Sequence, residues 1–362
     1  MDGIVGERKR FSSNILPLAA HVSHLRHLSK PKTAEKILRS RFQFPASIAK
    51  KISKTLGAHI AQGLAFHEQS VDSNPRVRPV LQYYAYLNFS VATILAYRPS
   101  NYQKTYRKHG ISDRTSNLER LTLASPVAHL QTGALTLFHR ILSDAELPDT
   151  NIRLKDLLIS IPMVQAELDE ALKLTTQRIH VEPRLRQDNG TWSSEVTFTY
   201  GQLDNISAAQ KRSLKIRMEL LMPLLRSACR YNGTIPNKIV YRSKQAWPKS
   251  QSQAALQIHR LNCLKFINFG GHMYMPMSDK VLYRWYVRPR IRAFPAMTAS
   301  LIFSFVLASI SRYRPSLRSE LADSDLNLLA DVFINESDGD MIPAFRNLLY
   351  REEMSIDHIG CA

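Results

Sequence analysis

Apolar residues recur at helical spacing along most of the chain, and the densest such stretch lies between Pro79 and Arg98. Tyr83, Leu87, Val91 and Leu95 fall four apart, and Tyr84, Phe89 and Ala92 widen the stripe. The pattern predicts a buried helix. Pro79 suits its first turn, where the missing N–H costs nothing, and Arg98-Pro99 closes it, because a residue before proline is pushed out of the α region. A polar, basic loop then leads to His109-Gly110. Upstream, Lys32 to Phe44 and Pro45 to Gln69 read as two helices, the second carrying a ladder of Ile48, Ile52, Leu56, Ile60 and Leu64. Lys50, Lys51 and Lys54 lie off that ladder and are expected on an exposed basic face. Leu118 to Leu142 is expected to be helical with a break near Pro126, and Arg153 to Thr175 helical with a break at Pro162. Ala296 to Tyr313 predicts a second buried helix. Pro315 starts another, running to about Phe333 with its acidic residues outward. A short helix, Ile342 to Glu352, is expected before a frayed end.

Between these helical regions the period changes from about four to two. Ile179, Val181 and Leu185 alternate on one segment, and Val196, Phe198 and Tyr200 on the next. Asp188-Asn189-Gly190 between them is a hairpin signal, since Asn-Gly tolerates the positive φ of a tight turn. Asn205 or Ser207 is suited to cap a helix from Ala208 to Arg230, striped by Leu214, Met218, Leu221 and Leu225. Lys238 to Arg242 and Leu264 to Phe269 are candidate further strands. The fold class expected is therefore mainly α (α+β): a helical bundle core with a small insertion containing a β-hairpin. The divisions expected are a flexible basic N-terminus over 1–30, a helical region over 31–175, the insertion over 176–275, and a C-terminal helical region over 276–362 packing on the first.

Composition adds a field to this outline. The chain has 362 residues, 44% of them hydrophobic, and a net charge of +19. Residues 1–60 carry twelve Lys and Arg against Asp2, Glu7 and Glu35. Residues 280–318 carry eight basic residues and no acidic one; from Glu320 onward acidic residues dominate. Such asymmetry favours a polyanion or an acidic protein as partner. The 3 cysteines, Cys229, Cys263 and Cys361, form no Cys-x-x-Cys pair, so no zinc site is expected, and a reducing cytoplasm suits them. Arg8, Lys9 and Arg10 are not followed by an apolar stretch of signal-peptide length. Ala296 to Ile310, the longest apolar run, is rich in Ser and Thr and is expected to be a buried core helix, so no membrane partner is expected.

The chemistry is sparse. Phosphate-loop and dinucleotide fingerprints, a Gly-x-Ser-x-Gly elbow and His-Glu-x-x-His are all missing, and no cofactor is expected. His109 is the leading candidate. Its neighbours Arg107, Lys108 and Arg114 are cations that favour a neutral imidazole. A neutral imidazole beside phosphate-holding cations suits a general base acting on an RNA 2′-hydroxyl; the competing use is a ring hydrogen bond that fixes the loop to the backbone. Tyr83, Tyr84 and Asn88 need hydrogen-bond partners within a bundle and are placed to steady that loop from beneath. Between Tyr283 and Arg292, Trp285 and the tyrosines interleave with Arg284, Arg288, Arg290 and Arg292, a pattern suited to stacking bases while neutralising phosphates. Ser311-Arg312-Tyr313-Arg314 falls at a helix end, where cations suit the dipole. His21, His24 and His27 recur along one expected helix face without a neighbouring carboxylate, and no metal site is expected there.

Two sets of these residues resemble a known family. Pro79, Leu81, Tyr83, Tyr84, Asn88 and Ser90, followed by His109, Gly110 and Ser112, resemble the bacterial YaaC-like family. Pro276 to Pro289 and Ser311 to Asp325 are similar to that family's closing helical segment, although Arg318 stands where its members often carry an aromatic. The resemblance implies a setting in bacterial regulation or antiviral defence. A weaker resemblance is to HEPN-type helical ribonucleases, whose Arg-to-His spacing is met by Arg351 and His358 but not by the His109 loop. The function expected is a cytoplasmic protein that binds RNA or DNA, or another polyanion, through Lys50, Lys51, Lys54, Lys108, Arg284, Trp285, Arg288, Arg290 and Arg292. The rivals are a metal-independent endoribonuclease using His109 with Arg107 or Arg114, and a non-enzymatic scaffold docking a protein partner or a second copy.

Overall fold

The computed structural model describes residues 9–13, 17–101, 108–143, 147, 150–164, 167–168, 179–200, 229–235, 238–251, 271–277, 280–287, 294–351 and 354–358. The architecture is mainly α with a smaller β component. The chain divides into two compact units, one formed by Gly6–Leu158 with Met297–Ala362 and one by Ile159–Ala296.

The first unit holds the helices α1 (Pro17–Leu28), α2 (Pro31–Arg41), α3 (Ala46–Val71), α4 (Arg78–Tyr97), α5 (Ala134–Ser143), α6 (Leu154–Leu158), α7 (Ala296–Tyr313), α8 (Pro315–Ala322) and α9 (Leu326–Tyr350). Helix α4 is its axis. It packs on α3, α5 and α9, and is buried all round rather than along one stripe: Gln82, Tyr86, Phe89 and Thr93 are as inaccessible as Tyr83, Val91 and Leu95. Three polar side chains on α4 donate to carbonyls of their own helix. Asn88 donates to the Tyr84 carbonyl, Ser90 to that of Tyr86 and Thr93 to that of Phe89, each at 2.8 Å. The helix ends at Arg98, as the following proline requires.

Other expectations for this unit need correction. The N-terminal region is not merely flexible. Lys9–Ser13 pairs in parallel with Met354–His358, and α1 buries His21, Leu25 and Leu28. The short helix expected over Ile342 to Glu352 is the end of a longer one, because α9 runs unbroken to Tyr350 through Pro343, and Met354–His358, in the stretch expected to fray, is a strand. A helix-interior proline costs about 3 kcal/mol. Burial of Met341, Ile342, Phe345, Leu348 and Leu349 on both sides of it offsets that cost. Helix α8 ends at Ala322, so the predicted helix to Phe333 is two helices. Residues 118–142 are not one broken helix. Pro126–Leu130 is the central strand of a three-stranded antiparallel sheet, between Ile111–Asp113 and Asn151–Arg153. It buries Val127 and Ala128 in succession as well as Leu130, so no clean alternation marks it as a strand in the sequence.

His21 gives this unit an acid-sensitive point. Burial, then Arg346 and His24, lower its pKa to about 4, and its Nδ1 is buried with no hydrogen-bond partner. The unfolded chain takes up this proton first as pH falls. The neutral ring's contribution is therefore complete above about pH 6.5 and is lost progressively towards about pH 4. His21→Leu is expected to flatten the fall in urea midpoint between pH 7 and about pH 5 without lowering the pH 7 value. A wild-type slope in that variant would count against this assignment.

The second unit holds a seven-stranded antiparallel sheet. Its order is Gly271–Met277, Lys280–Val287, Ile179–Asp188, Thr191–Tyr200, Lys238–Ser243 and Cys229–Ile235, with Trp247–Pro248 also pairing with Thr191–Tyr200. The predicted hairpin is present, with Asn189 at φ 47° and Gly190 at φ 75°. The C-terminal helical region begins at Ala296 rather than 276, since Pro276 to Val287 falls on two strands and not in a helical segment. Cys229–Ile235 is a strand, so Cys229 and Arg230 are not the helix end expected there; residues 201–228 and the strand expected over Leu264 to Phe269 lie outside the described residues. Helix α7 is long and apolar enough to cross a membrane, and 72% of it is buried inside the fold.

Candidate functional site

The backbone of the His109 loop is fixed before its side chain acts. Lys108 and His109 carbonyls accept the N–H groups of Ala134 and Leu135, two donors that the start of α5 would otherwise leave without partners. Gly110 adopts φ 80° and its carbonyl accepts the Gln131 N–H. Gly133 lies directly against it; a Cβ there would collide with the backbone of Gly110 and Lys108.

From beneath, Tyr83 of α4 reaches the imidazole, with its hydroxyl 2.9 Å from His109 Nδ1. The Tyr83 hydroxyl is buried, and burial raises its pKa well above the ordinary tyrosine value, with Tyr84 adding to the rise and Arg312 opposing it. It therefore stays protonated, and the His109 imidazole is its hydrogen-bond partner among the described residues. A neutral His109 that accepts at Nδ1 carries its proton on Nε2, and one that donates from Nδ1 leaves a lone pair there. Desolvation of the ring, followed by the charge of Arg312, holds the His109 pKa below the ordinary histidine value. The neutral form is the one expected from the sequence, with burial first and Arg312 second as its causes.

Arg312, at the end of α7, completes the cluster. It donates to the Tyr84 hydroxyl at 2.9 Å, and its guanidinium lies 5.8 Å from the Tyr84 ring centroid and 4.5 Å from that of Tyr313. Tyr84 is itself backed by Phe66, and Tyr83 by Phe305. Arg312 and Lys108 are exposed, and no carboxylate forms an ion pair with either among the described residues. The sequence points to this arginine only as a dipole partner. Its neighbour Arg314 does have a structural use, donating to the Ser116 and Leu118 carbonyls, whereas Arg312 faces a tyrosine 228 residues away. No local pattern announces that pairing.

The remaining predicted residues have other settings. Arg107, Arg288, Arg290 and Arg292 lie outside the described residues, and Arg284 and Trp285 fall on the Lys280–Val287 strand of the second unit. Arg114 is exposed just beyond the Ile111–Asp113 strand. Lys50, Lys51 and Lys54 are exposed on α3 as expected, but Phe66, the α3 residue that meets the cluster, is about 18 Å further along that helix. Asn88 finds its partner in His59, at 2.9 Å, rather than in the loop. His21 is buried, His24 approaches Arg346 at 3.1 Å, and the described residues contain no group of three metal-ligating side chains. The Arg351 to His358 match is taken up structurally. Arg351 donates to the Arg41 carbonyl and covers the Phe42 ring, while His358 pairs with Ser13.

A buried polar knot lies on the opposite face of α4. Asp338 accepts from Tyr86 at 2.5 Å, meets His67 Nδ1 at 3.4 Å, and lies 3.5 Å from the Gln82 amide, which donates to the Ile334 carbonyl. Burial alone would raise its pKa; His67, Tyr86 and Gln82 outweigh that and hold it below the usual carboxylate range. All of these groups are buried, so the knot holds three helices together rather than meeting a ligand.

No curated protein and no solved structure matches the chain. A family model described as YaaC-like Protein matches residues 26–342, a span that takes in α4, the His109 loop, Arg312 and the Asp338 knot. The chain belongs to the YaaC-like family.

Proposed function

We propose that the His109–Arg312 face binds a phosphate-bearing polyanion, with nucleic acid as the leading candidate. The observation that carries this reading is the Arg312 guanidinium, which is exposed, anchored on the Tyr84 hydroxyl and in no ion pair among the described residues. Such an arginine, with a hydrogen-bonding imidazole in the same cluster, is suited to holding an anion. The ribonuclease reading requires the tautomer in which Nδ1–H donates to Tyr83 and Nε2 keeps a lone pair, and the cleavage assay below separates the two. The net charge of +19 supports long-range attraction of such a partner, and the bacterial regulatory or defence setting implied by the family belongs to the same proposal.

The test is salt-titrated binding of labelled RNA and DNA, with EDTA present, to wild type, Arg312→Ala, His109→Gln and His109→Ala. Arg312→Ala is expected to weaken binding about tenfold at low salt and to reduce the slope of log affinity against log salt by about 0.7–0.9. His109→Gln, which keeps a donor, should bind more tightly than His109→Ala with an unchanged slope. Cleavage by wild type that disappears in His109→Ala would replace this reading with a metal-independent ribonuclease. Failure to bind either nucleic acid at low salt would leave the scaffold reading.

A further inference from the structure

Tyr313 is not needed to hold the cluster, yet it is 61% exposed at the end of a core helix. A large aromatic left that open at one position means little by itself. Its neighbour gives it meaning. The Arg312 guanidinium lies 4.5 Å from the ring centroid, so one side of the ring is backed by a cation and the remainder is open to solvent. The guanidinium is held in turn by its bond to the Tyr84 hydroxyl, and Tyr84 is stacked on Phe66 with the two rings inclined at 29°. The ring and the cation therefore form a platform with a rigid base.

We infer that the polyanion recognised at this face is single-stranded nucleic acid, with an unpaired base stacking on the open side of Tyr313 while Arg312 holds the adjoining phosphate. This inference rests on the phosphate-binding reading above and adds the ligand class. The Arg312 guanidinium makes one hydrogen bond in the described structure, to Tyr84, and keeps further N–H donors for phosphate oxygens. Its distance from the Tyr313 ring brings base platform and phosphate anchor within reach of a single nucleotide. Stacking on an aromatic face needs a base whose own face is free. A single strand supplies such bases, and a duplex keeps them stacked on one another. Because every base has a π-face, the platform predicts little sequence preference.

The experiment compares fluorescence anisotropy of a short mixed-sequence single strand, as RNA and as DNA, with the duplex of the same sequence and with competition by inorganic polyphosphate. Wild type is expected to favour the single strand over the duplex. Tyr313→Ala should weaken single-strand binding about tenfold and leave polyphosphate competition within about twofold, and Tyr313→Trp should keep the preference. Because Tyr313 is exposed and outside the core, these variants are expected to fold. Equal affinity of wild type for single strand and duplex, or unchanged single-strand binding in Tyr313→Ala, would overturn the inference while Arg312-dependent binding of all three ligands kept the phosphate site. Loss of binding to every polyanion at low salt would overturn both.

Discussion

Replacing Asp338 by alanine is expected to remove about 3–5 kcal/mol of unfolding free energy, the largest effect of any single change considered. The carboxylate is 4% exposed and joins three helices: His67 comes from α3, Gln82 and Tyr86 from α4, and Asp338 itself from α9. Alanine leaves the Tyr86 hydroxyl with Ser337 as its remaining partner and deprives His67 of its carboxylate. Asparagine keeps an acceptor but turns an N–H₂ group towards donors, so it should fall between alanine and wild type. The folded pKa of Asp338 is depressed. Its contribution is thus complete above the ordinary carboxylate range and is lost as pH falls through the lower folded value. Urea unfolding at neutral and acidic pH checks both statements. A neutral-pH midpoint in Asp338→Ala equal to that of wild type would remove the knot from any account of stability.

The second large effect is expected at Gly133, far from that knot. A methyl group there would meet the Gly110 N and Cα and lie 2.6 Å from the Lys108 carbonyl oxygen. These are backbone atoms on both sides, so no rotamer change relieves the clash. Gly133→Ala should cost about 3 kcal/mol and push the 108–110 loop off the start of α5. The amides of Ala134 and Leu135, which donate to Lys108 and His109, should then exchange hydrogen faster, and the Tyr83 to His109 bond should be lost with them. The nucleic-acid binding proposed for the His109–Arg312 face is then expected to fall even though neither residue has changed. Wild-type exchange at those two amides would show that the loop tolerates the methyl group.

These two sites also show where sequence reading ends. Helices α3, α4 and α7 were legible because each writes a local period, and the Asn189-Gly190 hairpin because its turn chemistry is local too. His109 stood out as a loop histidine beside glycine. Its environment did not, because Tyr83 is 26 residues distant and Arg312 about two hundred. Asp338 stood in the acid-rich stretch after Glu320 with nothing to mark it out. Only the arrival of His67 and Tyr86 at its position makes burial affordable, and nothing within its own helix signals them. The helix from Ile342 was read as a separate short one; it continues from Leu326 through Pro343, whose intrinsic cost apolar contacts on either side override. The strand at Pro126–Leu130 was misjudged because five residues cannot separate a period of two from one of 3.6.

The central position of α4 has a consequence for how the molecule is made. Tyr86 and Asp338 are 252 residues apart, and the whole of Ile159–Ala296 is synthesised between them. At roughly 5–20 residues per second, α4 leaves the ribosome some 13–50 s ahead of its partner on α9. Helices α1 to α3 can cover one side of it during that interval. The side carrying Gln82 and Tyr86 waits uncovered while an entire β-sheet unit is translated. A nascent chain of this protein therefore exposes a groove of aromatic and amide groups that the last tenth of the sequence fills, and slow translation or early termination would leave that groove open to the cell's chaperones and proteases.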